Sequence, residues 1–165
     1  MTSYSFFPSA DSGSWSDATR MYLSDNSFAS RNVSDTNITY EHVLSSFNIS
    51  VPTGHRVTKV EVEAKYYTQI HASIPLMRST FSMVACLGGE EQGVAASGYS
   101  ASAALLLKEY SSGNLLRSSN LTNALFTVKV KASSSVVNYG VWCDYVKVTI
   151  TTRPDGGGIA AGCMF

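Results

Sequence analysis

Residues 47–67 read FNISVPTGHRVTKVEVEAKYY, and their alternation decides the fold class. Phe47, Ile49 and Val51 alternate with Asn48 and Ser50, and Val60, Val62 and Ala64 alternate with Lys59, Glu61, Glu63 and Lys65. A period of two marks a sheet with one dry and one wet face. Pro52 fixes one backbone angle and Gly54 can take a positive φ, so the stretch predicts two strands joined by a turn, the first starting near Tyr40. Phe47, Ile49, Val51, Val60 and Val62 would each contribute roughly 1.5–3 kcal/mol on full burial. A lone hairpin cannot bury them, so a second layer must. The expected cover is the face of Phe126 to Val130 and Val146 to Ile150.

Working outward, Phe81, Met83, Ala85 and Leu87 share one face of a strand whose other face is also largely apolar, as in a central strand. Tyr99 to Leu107 is read as a strand and Ser118 to Ala124 as one helical turn. In the last apolar run Val146, Val148 and Ile150 point inward, and the same register carried back places Trp142 and Asp144 inward too. A buried Asp144 carboxylate needs a partner: loop backbone amides, Arg20, Arg56 or a cation. About eight strands with hairpin turns and no long helix predict an all-β protein, an antiparallel two-sheet β-sandwich of jelly-roll-like form with extended arms.

Three segments follow from this reading. Residues 1–20 form an N-terminal arm with Tyr4, Phe6, Phe7 and Trp15 as aromatic anchors among Ser, Pro, Gly and Asp. Residues 21–153 form the sandwich. Residues 154–165 form a C-terminal arm, hinged at Gly156-Gly157-Gly158 and ending in the apolar Met164 and Phe165, which docks on its own domain or inserts into a neighbouring subunit.

At 165 residues the chain is one domain, able to bury about two thirds of its unfolded surface. A net charge of +0 with 15% charged residues argues against nucleic acid and acidic membranes as partners. Solubility rests instead on 26 Ser and 13 Thr, a composition that favours strands and turns. The first residues lack the basic and apolar regions of a secretory signal, and no window approaches a membrane span of about 18 apolar residues, so a soluble chain is expected. Cys86, Cys143 and Cys163 have no metal-type spacing; Cys86 and Cys143 read as small buried apolar residues. Sequons at Asn32, Asn37, Asn48 and Asn120 fit chance in so Ser/Thr-rich a chain.

No catalytic arrangement is visible, and no enzyme, cofactor or metal is predicted. His42, His55 and His71 are isolated and read as surface or loop histidines. No serine sits in GxSxG. Glu61 and Glu63, about 7 Å apart on one strand face, resemble a glycosidase pair in spacing only, because Lys59 and Lys65 flank them. Calcium is the only metal worth entertaining, from Asp11, Asp17, Asp25, Asp35 and Asp144. An exposed aromatic strip could bind sugar rings, but with Trp142 assigned inward the aromatics read as core or interface filling.

The ordered features Trp15, Asp25-Asn26-Ser27-Phe28-Ala29, Phe47-x-Ile49-x-Val51-Pro52-x-Gly54-x-x-Val57-x-x-Val60-x-Val62, Phe126-x-Val128-x-Val130 and Asp144-Tyr145-Val146-x-Val148-x-Ile150 form a recognisable succession. It resembles a jelly-roll-like β-sandwich module of virion structural proteins of tailed viruses, over most of residues 15 to 152. The resemblance implies a structural protein of the virion, made in the host cytoplasm, that forms tail, fibre or capsid decoration. It would assemble as a homo-oligomer and with other virion proteins through its sheet faces and arms. Asp144, Trp142, Trp15, Phe6, Phe7, Met164 and Phe165 are the expected structural and assembly residues. The alternatives are a carbohydrate- or receptor-binding module, with a host surface glycan as partner, and an extracellular filament subunit.

Overall fold

The computed structural model describes residues 1–155, so Met164, Phe165, Cys163 and the proposed C-terminal hinge lie outside the described residues. Among these residues eleven strands and three short 3-10 turns build two antiparallel sheets packed face to face. The strands are β1 (Thr2–Phe6), β2 (Ala10–Gly13), β3 (Ala29–Val33), β4 (Tyr40–Ser45), β5 (His55–Thr68), β6 (Ser79–Leu87), β7 (Glu90–Glu91), β8 (Ala96–Gly98), β9 (Ala104–Tyr110), β10 (Phe126–Ser134) and β11 (Tyr139–Pro154).

The first sheet is organised on β11, which pairs with β5 along one side. Its other side takes β3 against its first half and β1 against its second. Strand β9 adds beyond β5 as the far edge. The second sheet runs β2-β4-β10-β6, with β7 and β8 on the outer side of β6. Val60, Val62 and Ala64 of β5 and Val146, Val148 and Ile150 of β11 face Phe81, Met83, Phe126, Val128 and Val130 across the interior, and all are buried.

The predicted hairpin is only half present. Strand β5 is as expected, but Phe47 to Val51 forms no strand: Ser46 (φ 55°) and Asn48 (φ 52°) take left-handed backbone, and the segment carries the chain from one sheet to the other. Its apolar residues still serve the core. Phe47 is buried edge-to-face on Phe126 at 5.5 Å, and Ile49 and Val51 pack against the cluster. Phe126 to Val130 does cover β5, whereas Val146 to Ile150 lies beside it in the same sheet. The alternation was read correctly as burial and wrongly as pairing, because a crossover can bury alternate residues without a ladder.

The N-terminal residues are not an irregular arm either. Strands β1 and β2 enter opposite sheets, and Met21 lies buried in the 3-10 turn Ala18–Tyr22. Trp15 is buried edge-to-face on Phe81 at 6.2 Å, Phe6 packs on the core, and Phe7 meets the Tyr145 ring at 6.2 Å. These aromatic residues pack on the sandwich itself.

Candidate functional site

The most unusual local chemistry lies where β11 breaks its register against β5. Cys143 opposes Tyr66 and Tyr145 opposes Lys65, which leaves Asp144 as the extra residue of a β-bulge. One inserted residue reverses the side-chain phase on either side of it. Val146, Val148 and Ile150 stay inward, but Trp142 turns out to the solvent side of the sheet, contrary to the uninterrupted register.

Trp142 stands directly opposite Tyr67 in the ladder, and the two rings stack in parallel, 4.6 Å apart and 6° from coplanar. Phe28 closes on Tyr67 edge-to-face at 5.0 Å. On the other side of Trp142 the register places the small Ser30, with Asn32 opposite Gly140. A Cβ at Gly140 would fall 2.2 Å from the indole ring, so only glycine lets the ring lie over that backbone. Tyr67 thus occupies one side of the indole, and the side toward β3 borders a cleft of 210 Å³ lined by Ser30, Arg31, Asn32, Gln69, Asn138, Gly140 and Trp142.

The polar groups of this cleft are chiefly neutral amides. Gln69 Oε1 accepts the Gly140 N–H at 3.1 Å, which orients the side chain and leaves its NH2 as donor. Asn138 is held in left-handed backbone (φ 64°), with its N–H given to the Val33 carbonyl at 2.7 Å. Arg31 is committed elsewhere. Its guanidinium lies 4.0 Å over the Tyr40 ring and donates to the Ser14 carbonyl at 2.7 Å, clamping the open edge between the sheets.

Beside the aromatic rings, Asp144 is fully buried and neither carboxylate oxygen has a hydrogen-bond donor. Of the expected partners neither Arg20 nor Arg56 reaches it; Lys65 does, with Nζ 3.2 Å from Oδ2. Lys65 belongs to the outward row of β5, and only the bulge brings the carboxylate to it. The same Nζ contacts Asn26 Oδ1 in the loop before β3 and sits 6.0 Å from the centre of the Phe28 ring.

Sequence reasoning missed a second buried polar group. His42, expected at the surface, is buried in β4 with Nε2 3.0 Å from Asp11 Oδ1, while Nδ1 accepts the Trp15 N–H at 3.5 Å. That acceptor role fixes the neutral tautomer, with the proton on Nε2 directed at Asp11. Burial holds the imidazole below its ordinary value despite Asp11. Tyr22 donates to the other Asp11 oxygen, and burial together with that carboxylate pushes its hydroxyl up to about 12. Gly13 leaves the room this needs, since a Cβ there would fall 2.5 Å from Nδ1. The Asp11–His42 pair joins β2 to β4. The one sequence signal for it was His42 itself, inward by the alternation of Leu44 and Tyr40.

The aspartates considered for calcium are dispersed. Asp17 pairs with Arg20, and Asp25 and Asp35 accept backbone N–H groups of Ser27 and Asn37 in their own turns. Among the described residues no three His, Cys, Asp or Glu side chains gather into a metal site. No helix among them is long and apolar enough to cross a membrane. Glu61 and Glu63 are ion-paired, Glu61 at 3.0 Å to the expected Lys59 but Glu63 at 2.7 Å to Lys147 rather than to Lys65. Cys86 and Cys143 are buried free thiols, the latter pushed up by burial and by adjacent Asp144.

No protein-family model and no curated protein matches the chain. Among solved structures it is similar to TmCBM61 in complex with β-1,4-galactotriose, with a TM-score of 0.43 and 8% identity over 88% of this chain and 86% of that one.

Proposed function

We propose that the protein is a non-catalytic carbohydrate-binding β-sandwich, with the Trp142 cleft as its site. The observation that carries this reading is the Tyr67-backed indole on the solvent side of the sheet, bordered by the side-chain amides of Asn32, Gln69 and Asn138. A sugar ring has an apolar face of C–H groups and a rim of hydroxyls. An indole supplies flat, rigid apolar area, and amides supply paired donors and acceptors for the rim. With no carboxylate in the cleft and Arg31 engaged by Tyr40 and Ser14, the ligand class is a neutral saccharide.

The test is titration with neutral oligosaccharides, found on a glycan array, read by tryptophan fluorescence. Trp15 is buried, so Trp142 reports the change. Trp142→Ala is expected to weaken binding at least tenfold, about 1.4 kcal/mol, with little change in thermal stability. An array without hits, or equal binding by the variant, overturns the reading.

A second reading, the self-assembling virion component, is favoured by a different observation. Leu105 and Leu107 of edge strand β9 are 63% and 53% exposed beside an unpaired strand edge among the described residues. Such an edge is a template for another strand. This reading expects an oligomer by light scattering that Leu105→Lys with Leu107→Lys dissociates; a monomer at all concentrations removes it.

A further inference from the structure

Lys65, Asn26 and Asp144 are arranged for more than an ion pair. The Lys65 amine touches the Asn26 carboxamide at Oδ1 and lies 3.2 Å from a carboxylate that is wholly removed from water. Neither Asp144 oxygen makes a hydrogen bond, and the only cation beside them among the described residues is the Lys65 amine, so the carboxyl is free to accept a proton from it. The Phe28 ring flanks the amine, and Tyr67 packs on Phe28. An amine nucleophile, an amide electrophile and a dry carboxyl that can take the amine's proton and donate to the amide oxygen are the three parts of an intramolecular amide transfer.

We propose that Lys65 and Asn26 become joined by a side-chain amide bond, formed by the folded protein itself with Asp144 as the base that takes the first Lys65 proton. The Lys65 ammonium gives a proton to Asp144 Oδ2, and the neutral Nζ attacks Cγ of Asn26. The protonated Asp144 carboxyl donates to Oδ1 as negative charge develops there. The Nζ–Cγ bond forms, the Cγ–Nδ2 bond breaks, and Nδ2 takes the second Nζ proton and leaves as ammonia. Nothing is oxidised or reduced, and no co-reactant is consumed. Asp144 keeps its proton and donates to the new amide oxygen, so no unpaired charge stays buried. Asn26 lies in an exposed loop, which gives ammonia a route out. Holding the groups in contact replaces the encounter that makes this reaction slow in solution.

The bond would tie the loop before β3 to β5 across the intervening β11, closing a ring from residue 26 to residue 65. As with a disulfide, such a ring stabilises mainly by restricting the unfolded chain. It would fasten Phe28 and the aromatic platform from below.

Intact mass of the purified full chain decides the matter. The expected mass is that of the sequence less one ammonia, whichever way Met1 is processed. After denaturation, trypsin should yield one branched peptide joining Met21–Arg31 to Val60–Arg78, because acylated Lys65 is no longer a cleavage site. Asn26→Ala, in an exposed loop, and Lys65→Arg should both show full mass, and Asn26→Ala should melt at lower temperature. Asp144→Ala should retain both side chains unlinked; a linked Asp144→Ala overturns the role of Asp144. Full mass in the unmodified chain, or loss of ammonia without the branched peptide, overturns the bond itself.

Discussion

Two halves of the same β5–β11 ladder behave differently. From Lys59 to Glu63, opposite Thr151 to Lys147, the pairing is regular and the outward row neutralises itself through Lys59–Glu61, Lys59–Glu109 and Lys147–Glu63 contacts at 2.7 to 3.6 Å. From Lys65 to Thr68, past the bulge, Lys65 lies opposite Tyr145 but pairs with the bulged Asp144, and Tyr67 lies opposite Trp142, so the charge is drawn inward while the indole goes out. One strand thus makes a wet, self-neutralised face and the candidate site, and the difference is a single inserted residue on its partner. Bulges re-aim side chains without altering the fold, which is why the site sits at this one.

The contrast is broken most severely by Lys65→Met. It removes the Lys65 nitrogen that faces Asp144, whether as an ammonium or in the proposed amide, and we expect a loss of about 3 kcal/mol in denaturant unfolding, the low end for a buried pair because Lys65 is one quarter exposed. Gly140→Ala acts next. The new Cβ displaces the indole, which should cost about 2 kcal/mol in stability and abolish saccharide binding measured by fluorescence.

A smaller effect comes from the other sheet. His42 is held below its ordinary 6.5, so the unfolded chain binds its proton more readily than the folded one. The stability it contributes is therefore present above pH 6.5 and lost as pH falls through the depressed folded value. Melting temperature followed downward from pH 7 should drop, and His42→Gln should flatten that part of the profile. The smallest effect belongs to the regular half: Glu61→Gln should change unfolding free energy by less than about 0.5 kcal/mol, since its pairing with Lys59 is at the surface. A large loss there, or none at Lys65, would erase the distinction between the two halves.

Most of the sandwich was legible. The alternation of β5, β6, β10 and the second half of β11 names the buried residues correctly, because burial on one face of a sheet imposes period two whatever the strand pairs with. The crossover at Phe47 to Val51 was not legible as such, since alternate burial looks the same with or without a ladder. Placement of β1 and β2 was hidden by their Ser, Asp and Gly content, which reads as loop until β11 and β4 supply partners.

For the site, residue types were visible and their geometry was not. Asp144 was correctly expected to be buried and in need of a partner, yet Lys65 looked like one more solvated charge, and Trp142 was assigned to the core. The sequence by itself determined a two-sheet β-sandwich, its apolar faces and a buried carboxylate, because those depend on local periodicity and on the cost of burying charge. Only the tertiary structure decided where β11 slips by one residue against β5. That slip follows from how two strands meet across the sheet, and it turned the indole outward and brought Lys65, Asn26 and Asp144 together.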